Sequence, residues 1–96
     1  MSAEQTSGQW HYVWLSFADT TRPSGKQFTG GAVVPGLGVA DAVATSWLLG
    51  CNPGGEAFGK PFITSEPLPR ARVGVLLDRA TVEAADEWLQ PLMVQP

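Results

Sequence analysis

The run WHYVWLSF, from Trp10 to Phe17, is apolar at every position except His11 and Ser16, and it predicts a β-strand. Aromatic and β-branched residues dominate the run, as is typical of strands. Successive side chains of a strand point to opposite faces. One face would carry His11, Val13, Leu15 and Phe17, and the other Trp10, Tyr12, Trp14 and Ser16. We expect the first face to pack against helices, and the second to need a cover, a ligand or a partner.

The longest helical pattern lies between Gly38 and Gly50. Apolar residues recur there every four positions in two adjacent series, Val39, Val43 and Trp47 and then Ala40, Ala44 and Leu48. The pattern predicts a helix with one broad apolar face. Such a helix is usually covered by its own chain or by another copy of it. Gly50 stands where a left-handed residue ends a helix, and Pro53 cannot continue it.

Four further segments complete the predicted secondary structure. A second strand is predicted from Gln27 to Val34. A weaker strand is predicted from Ala57 to Ile63, where Pro61 favours an edge position. Arg70 to Leu77 alternates like a fourth strand, and Arg79 to Gln90 has the apolar spacing of a second helix. The predicted order is therefore β-β-α-β-β-α.

An α+β fold follows from this order, with two helices on one face of a four-stranded, mostly antiparallel sheet. We predict that residues 1–8, MSAEQTSG, form a flexible N-terminal lead. Residues 9–96 are predicted to form a single α+β domain. A chain of this length builds one core with little surplus. With both helices packed on the Val13 face, the aromatic face would stay open. An open aromatic face favours a homo-oligomer, either a dimer or a larger assembly.

Composition and charge exclude several classes of function. The chain has a formal net charge of −3 and six scattered Lys and Arg residues, whereas nucleic-acid binding relies on clustered positive charge. No apolar run approaches the roughly 18 residues that a membrane span needs, and the N-terminal segment lacks the features of a signal peptide. The lone cysteine, Cys51, fits a reducing compartment. We therefore expect a cytoplasmic protein with neither a membrane nor a nucleic-acid partner.

The residues that carry catalysis are too few for an enzyme. His11 is the single histidine and Cys51 the single cysteine, and no Asn or Asp stands where it would orient a reactive pair. Zinc sites use three or four protein ligands, which one His and one Cys do not supply. The sequence therefore predicts a protein that is not an enzyme and that holds no metal or cofactor.

The segment after the helix, Asn52-Pro53-Gly54-Gly55-Glu56, is rich in residues that favour turns and positive φ angles. Successive backbone N–H groups in such a turn can converge on an anion. Either Arg70 and Arg72 or Arg22 and Lys26 would then meet its phosphate. The candidate ligand-binding residues are Asn52, Gly54, Gly55, Glu56, Arg70 and Arg72. The alternative is that the turn only links a helix to a strand.

Part of the chain resembles a group of small bacteriophage and actinobacterial proteins that have no established activity. The resemblance rests on the strand WLSFAD at Trp14 to Asp19, on a strand led by Phe28, and on the helix that ends in LLGCNPGGE at Leu48 to Glu56. The run LGxNPGGE is its most specific part, and Cys51 stands where an aliphatic residue is expected. The resemblance implies a phage setting in a bacterial host, with a role in host take-over or counter-defence.

These observations together predict a small non-enzymatic binding protein. One hypothesis is a binder of a nucleotide-like small molecule, held by the glycine turn, the arginines and stacking aromatic rings. A second is an interaction protein that engages a host protein, since Trp and Tyr are favoured interface anchors. The candidate interface residues are Trp10, Tyr12, Trp14 and Trp47. The remaining alternative is an oligomeric structural module with no small-molecule ligand.

Overall fold

The computed structural model describes residues 4–6 and 9–93, which form a sheet with one layer packed on each face. The strands are β1 (Glu4–Thr6), β2 (Gln9–Ala18), β3 (Phe28–Pro35) and β4 (Glu56–Thr64). β2 lies at the centre of three long antiparallel strands, with β3 on one edge and β4 on the other. The three-residue β1 pairs with the first residues of β2. The rest of the predicted N-terminal lead, residues 1–3 and 7–8, lies outside the described residues.

The longest helix, α1 (Val39–Leu48), packs on one face of the sheet. Its end follows the prediction, because Gly50 has a φ of +75°. The N–H groups of Gly50 and Cys51 donate to the carbonyls of Trp47 and Ser46 at 3.2 and 3.1 Å. These two bonds form a Schellman motif, which satisfies carbonyls that the helix leaves free. The chain therefore turns back towards the sheet and enters β4.

A first core cluster lies between α1 and the sheet. Its buried members are Val13, Leu15, Phe17, Ala32, Val34, Ala42 and Cys51. The prediction that Val13, Leu15 and Phe17 face a helix is confirmed. This cluster therefore ties the central strand, β3, α1 and the turn after α1 into one unit.

The buried side of α1 differs from the predicted one. Ala42 and Ser46 are fully buried, whereas the predicted series Ala40–Ala44–Leu48 is exposed. Ser46 is tolerated inside because its hydroxyl donates to the Val43 carbonyl at 2.6 Å and accepts from the Asn52 side chain at 3.0 Å. Buried polar groups need such partners. The helix is thus rotated so that its largest apolar residues face outwards.

The C-terminal third does not form the predicted fourth strand. Arg70 to Leu77 contains a 3-10 turn, Arg70–Arg72, and meets the outer edge of β3 through single bridges at Val73 and Leu77. Gly74, between the bridges, has a φ of +72°, which interrupts the extended conformation that a strand requires. The predicted arrangement of four strands in the order β-β-α-β-β-α, with two helices on one face, is therefore wrong.

The predicted helix from Arg79 to Gln90 is broken into short pieces. They are α2 (Arg79–Glu83), α3 (Ala85–Trp88) and a 3-10 turn, Gln90–Leu92. A side chain occupies one of the carbonyls at the break. The indole N–H of Trp88 donates to the Thr81 carbonyl at 3.1 Å, and a continuous helix would use that carbonyl to bind the N–H of Ala85.

The C-terminal segment, residues 65–93, covers the sheet face opposite α1. A second core cluster joins Tyr12, Val33 and Phe62 of the sheet to Leu68 and Leu89 of this segment. Tyr12 stacks on Phe62 with ring centroids 5.7 Å apart, and its hydroxyl accepts a hydrogen bond from the Leu68 N–H at 2.8 Å. The expectation of an open aromatic face is therefore wrong, because the chain covers that face with its own residues.

Candidate functional site

Large exposed apolar side chains lie on and beside the outer side of α1. Leu48 is 83% exposed, Trp47 is 58% exposed, and Leu37, just before the helix, is 60% exposed. Ala40 and Ala44 are exposed between them. Because residues three, four and seven positions apart share one side of a helix, these side chains form one surface. We call this set, Leu37, Ala40, Ala44, Trp47 and Leu48, the α1 outer face.

The chemistry of the α1 outer face is almost entirely apolar. Asp41, in the first turn of α1, is the exposed charged residue beside it, and the positive end of the helix dipole favours a carboxylate there. Single exposed apolar residues are ordinary on protein surfaces, but a contiguous set of this kind is typical of a binding surface. The α1 outer face can therefore bind another apolar surface, and it offers no group for catalysis.

The four predicted interface residues fall into two groups. Trp47 lies on the α1 outer face, whereas Trp10, Tyr12 and Trp14 lie beneath the C-terminal segment. Tyr12 is 2% exposed, and Trp10 and Trp14 are half-buried against the second core cluster. The Trp14 ring lies 6.2 Å from the ring of Trp88. The structure thus leaves Trp47 available to a partner and gives Tyr12 an internal packing role.

The glycine turn after α1 lines a hollow of about 550 Å³ together with the loop that follows β2. Gly54 and Gly55 have φ angles of +89° and +78°, so the predicted positive φ angles are confirmed. The side-chain oxygen of Asn52 accepts a hydrogen bond from the Gly54 N–H at 2.8 Å. That amide is therefore used inside the turn, and fewer amides remain for an anion than the sequence alone indicates.

The hollow also contains an arginine and an aspartate that already pair. Arg22 Nε lies 3.3 Å from the Asp19 carboxylate. Thr21 donates to the same carboxylate through its hydroxyl and its N–H. These hydrogen bonds, and then the Arg22 charge, lower the pKa of Asp19. An anion in the hollow would therefore compete with Asp19 for Arg22.

The other predicted ligand-binding residues lie elsewhere. Arg72 is stacked over the Trp88 ring, 4.6 Å from its centroid, and Arg70 lines a different hollow. Glu56 begins β4, and its side chain is exposed. The structure therefore joins the glycine turn to Arg22, a member of the second predicted arginine and lysine pair, but not to Arg70 or Arg72.

Comparison with protein-family models, curated proteins and solved structures finds no match to this chain. Its function is therefore inferred from geometry. Within residues 4–6 and 9–93, no group of three His, Cys, Asp or Glu side chains is placed to hold a metal ion. Within the same ranges, no helix is long and apolar enough to cross a membrane.

Cys51 shows no sign of activation, and His11 lies beside a groove on the sheet. Cys51 is 2% exposed, and burial raises the pKa of its thiol. A buried thiol with a raised pKa is a poor nucleophile, because the thiolate is the reactive form. His11 lies on β2 beside a groove of about 720 Å³, and its Nε2 is buried without a hydrogen-bond partner in the described part of the chain.

Sequence reasoning missed the exposure of several large apolar side chains, among them Leu48 on α1 and Phe58 on β4. Phe58 is 59% exposed and lies between Glu56 and Lys60, which are also exposed. The alternation EAFGK places these three side chains on one face of the strand. A charged residue on each side of a phenylalanine is the signal that could have indicated a solvent-facing aromatic residue.

Proposed function

We propose that this chain is a non-enzymatic protein-interaction module that docks on a partner protein through the α1 outer face. The exposure of Leu48 and Trp47, 83% and 58%, carries the proposal. Adjacent large apolar side chains at such exposure are typical of binding surfaces, and Trp is among the residues most enriched at interface hot spots. The absence of polar groups on this face favours contact with protein over contact with a small polar ligand.

The α1 outer face defines the chemistry of its partner. The partner needs an apolar groove that admits the Trp47 ring and the Leu48 side chain, with a basic residue at the rim near Asp41. Full burial of one such side chain contributes about 1.5–3 kcal/mol. Because α1 is fixed on the sheet and capped by its Schellman motif, little further ordering opposes binding. A specific contact of modest affinity follows from these contributions.

The resemblance of the WLSFAD and LGxNPGGE segments to phage proteins adds a setting to this proposal. In a phage setting, the partner would be a protein of the bacterial host. Blocking such a protein would serve host take-over or counter-defence. This part of the proposal rests on the resemblance alone, whereas the docking surface rests on the exposed residues of α1.

Affinity capture tests the docking surface. We expect the wild-type chain to retain a defined protein from a bacterial lysate, and the Leu48→Lys variant to retain about tenfold less of it. The lysine ammonium would have to enter an apolar groove without a counter-charge, which is unfavourable. Mass spectrometry identifies the captured protein, and titration of the purified pair measures the dissociation constant.

Val75→Ser is the matched control for Leu48→Lys. Val75 is also a partly exposed apolar residue, at 40%, but it lies in the C-terminal segment and outside the α1 outer face. This variant should bind the partner as the wild type does. Equal loss in both variants, with circular dichroism showing both folded, would contradict the assignment of the docking surface to α1.

A second candidate function is the binding of a nucleotide-like anion beside the glycine turn. One observation favours it, since Gly54, Gly55 and Arg22 line the same hollow of about 550 Å³. An arginine guanidinium binds phosphate through two parallel hydrogen bonds. Phe28 lines the same hollow. The Arg79 guanidinium lies over one face of its ring, 5.1 Å from the centroid, so a base would stack on the other face.

Calorimetry with a panel of linear and cyclic nucleotides tests this second candidate. We expect at least one nucleotide to bind with a dissociation constant below about 100 μM. Arg22→Gln should weaken that binding about tenfold, because it removes the guanidinium that would bind the phosphate. Arg70→Gln is the control and should change nothing, since Arg70 lines a different hollow. If no nucleotide binds below that concentration, this candidate is rejected.

A further inference from the structure

The outer edge of β4 is a second surface that carries an exposed large apolar side chain. β4 pairs with β2 from Glu56 to Thr64. At the C-terminal end of its other edge, Thr64 forms a bridge with Met93, and the Ser65 N–H donates to the Leu92 carbonyl at 3.2 Å. Within residues 4–6 and 9–93, no strand or bridge covers that edge from Glu56 to Lys60. The outer edge of β3 is covered along its middle, because the C-terminal segment bonds to it at Gly31 and Val33. An unpaired strand edge is a template for pairing with another strand.

Backbone hydrogen bonds decide which residues of β4 face this edge. The Gly36 N–H, just beyond β3, donates to the His11 carbonyl at 3.2 Å, so odd-numbered residues of β2 direct their backbone groups towards β3. Even-numbered residues of β2 therefore direct theirs towards β4. In the β2–β4 register, even-numbered residues stand opposite even-numbered ones. The odd-numbered residues Ala57 and Gly59 consequently present their N–H and C=O groups to the free edge.

The side chains of β4 are arranged symmetrically about Phe58. Glu56, Phe58 and Lys60 share the sheet face opposite α1, and all three are exposed. A carboxylate stands two residues before the aromatic ring, and an ammonium stands two residues after it. On the other face, Gly59 packs against Val39 of α1, which leaves no room for a side chain there. A second copy of this edge that runs in the opposite direction would therefore place each charge opposite a charge of the other sign.

We propose that a second copy of this chain pairs with this edge, β4 against β4, in an antiparallel arrangement about a two-fold axis at Phe58. In this register Phe58 stands opposite Phe58, and Glu56 of each copy stands opposite Lys60 of the other. Ala57 of each copy exchanges both of its backbone hydrogen bonds with Gly59 of the other. Pro61, which lacks an N–H, falls outside these bonds. The two sheets join into one.

The chemistry of the edge favours this register over others. The Phe58 pair is of the type without direct backbone hydrogen bonds, in which side chains approach most closely, and aromatic pairs stabilise such positions. Opposite charges that face each other across two strands are favourable, and like charges are unfavourable. Glu56 and Lys60 therefore disfavour pairing with an arbitrary strand. They favour the one register in which each charge meets its opposite.

The pairing uses a different surface from the proposed docking site. Because the two-fold axis is perpendicular to the joined sheet, both α1 helices lie on the same side of it. Each α1 outer face stays accessible, and the dimer presents two of them. The edge is short, so the interface lies at the small end of the known range, and we expect a dissociation constant on the order of micromolar.

Charge exchange tests the register by sedimentation equilibrium. Glu56→Lys places an ammonium opposite an ammonium, and Lys60→Glu places a carboxylate opposite a carboxylate, so each single variant should dimerise about tenfold more weakly than wild type. The variant with both changes should regain the wild-type dissociation constant. A mixture of the two single variants should form a heterodimer, because every charge then meets its opposite.

Cross-linking gives a second readout that does not depend on charge. In the proposed pair the two Cα atoms at position 58 lie about 4.5 Å apart, a separation that a disulfide spans. The Phe58→Cys variant should therefore oxidise to a covalent dimer. The native Cys51 is 2% exposed and does not take part. Trp47→Cys, whose cysteine would lie on the α1 outer face, is the control and should remain uncross-linked under the same conditions.

Three results would overturn the proposal. The first is a wild-type chain that remains monomeric at about 1 mM. The second is a pair of single charge variants that associate as tightly as the wild type. The third is cross-linking of Trp47→Cys without cross-linking of Phe58→Cys. A failed dimer leaves the capture experiment on Leu48 unaffected, so this proposal and the proposed function can fail separately.

Discussion

Replacement of Gly55 by alanine is expected to lower the free energy of unfolding by about 2–6 kcal/mol. A Cβ atom at this position would overlap the carbonyl oxygen of Ala18 at the end of β2. That oxygen belongs to backbone held in the sheet, where Ala18 pairs with Glu56, so it cannot rotate away as a side chain would. The φ of +78° adds the strain of a left-handed conformation. Urea denaturation measures the loss.

Gly54→Ala is the matched control for this prediction. Gly54 has a similar φ of +89°, but a Cβ there would meet no atom within 4 Å. Only the conformational strain remains, so we expect a loss of about 1–2 kcal/mol. Equal losses for Gly54→Ala and Gly55→Ala would show that the approach to Ala18 is unimportant, and would contradict the prediction.

Truncation of Tyr12 to alanine is expected to lower the free energy of unfolding by about 3–5 kcal/mol, as for other large buried aromatic residues. Tyr12 is 2% exposed and joins the sheet to the C-terminal segment. The change removes both the ring that stacks on Phe62 and the acceptor of the Leu68 N–H. The C-terminal segment should open first, and hydrogen exchange across residues 65–93 measures this opening.

Tyr12→Phe separates the ring from its hydroxyl. The stack on Phe62 is kept, but the buried N–H of Leu68 loses its acceptor, which costs about 1–3 kcal/mol. We expect faster hydrogen exchange near Leu68, with the α1 layer unchanged. If Tyr12→Phe is as stable as the wild type, the bond between Tyr12 and Leu68 does not anchor the segment.

Local signals account for the elements that the sequence predicts well. Aromatic and β-branched residues place β2, and Phe28 with the run Ala32–Val34 places β3, each to within a residue at either end. Gly50 ends α1 because only a residue that tolerates a positive φ completes the Schellman motif. These features depend on neighbours in the chain, and a sequence pattern contains that information.

The orientation of α1 depends on contacts that a periodic pattern does not contain. Apolar spacing favours burial of Trp47 and Leu48, whereas the structure buries Ser46. Ser46 is stable there because the side chain of Asn52, beyond the end of the helix, donates to its hydroxyl. A polar residue with a partner outside its own helix therefore reverses the predicted face, and the large apolar residues become a surface.

The C-terminal third could not be predicted for a similar reason. The strand-like alternation of this segment corresponds to one strand-like contact in the structure, since Leu77 exchanges backbone hydrogen bonds with Gly31 of β3. The left-handed Gly74 interrupts the extended backbone, and the bond from Trp88 to the Thr81 carbonyl lies where the helical region divides into short pieces. The packing of Leu68 and Leu89 against the sheet holds these pieces in place, and no local preference indicates that packing.

In the candidate site, too, the sequence predicts features set by neighbouring residues but not those set by contacts between distant residues. The sequence identifies the glycine turn and its positive φ angles, but it does not choose between the two sets of basic residues. The β2–β4 register makes that choice. Ala18 stands opposite Glu56, so the loop after β2, which contains Arg22, is brought beside the turn. Arg72 instead lies over Trp88.

The central strand has a consequence for how this chain tolerates sequence change. Val13 and Leu15 of β2 belong to the first core cluster, whereas Tyr12 belongs to the second. Adjacent residues of β2 therefore pack in different core clusters, whereas residues two positions apart pack in the same cluster. The effects of two substitutions on stability are coupled mainly when the residues share contacts. Mutational drift can therefore remodel the layer above the sheet without requiring compensation in the layer below it.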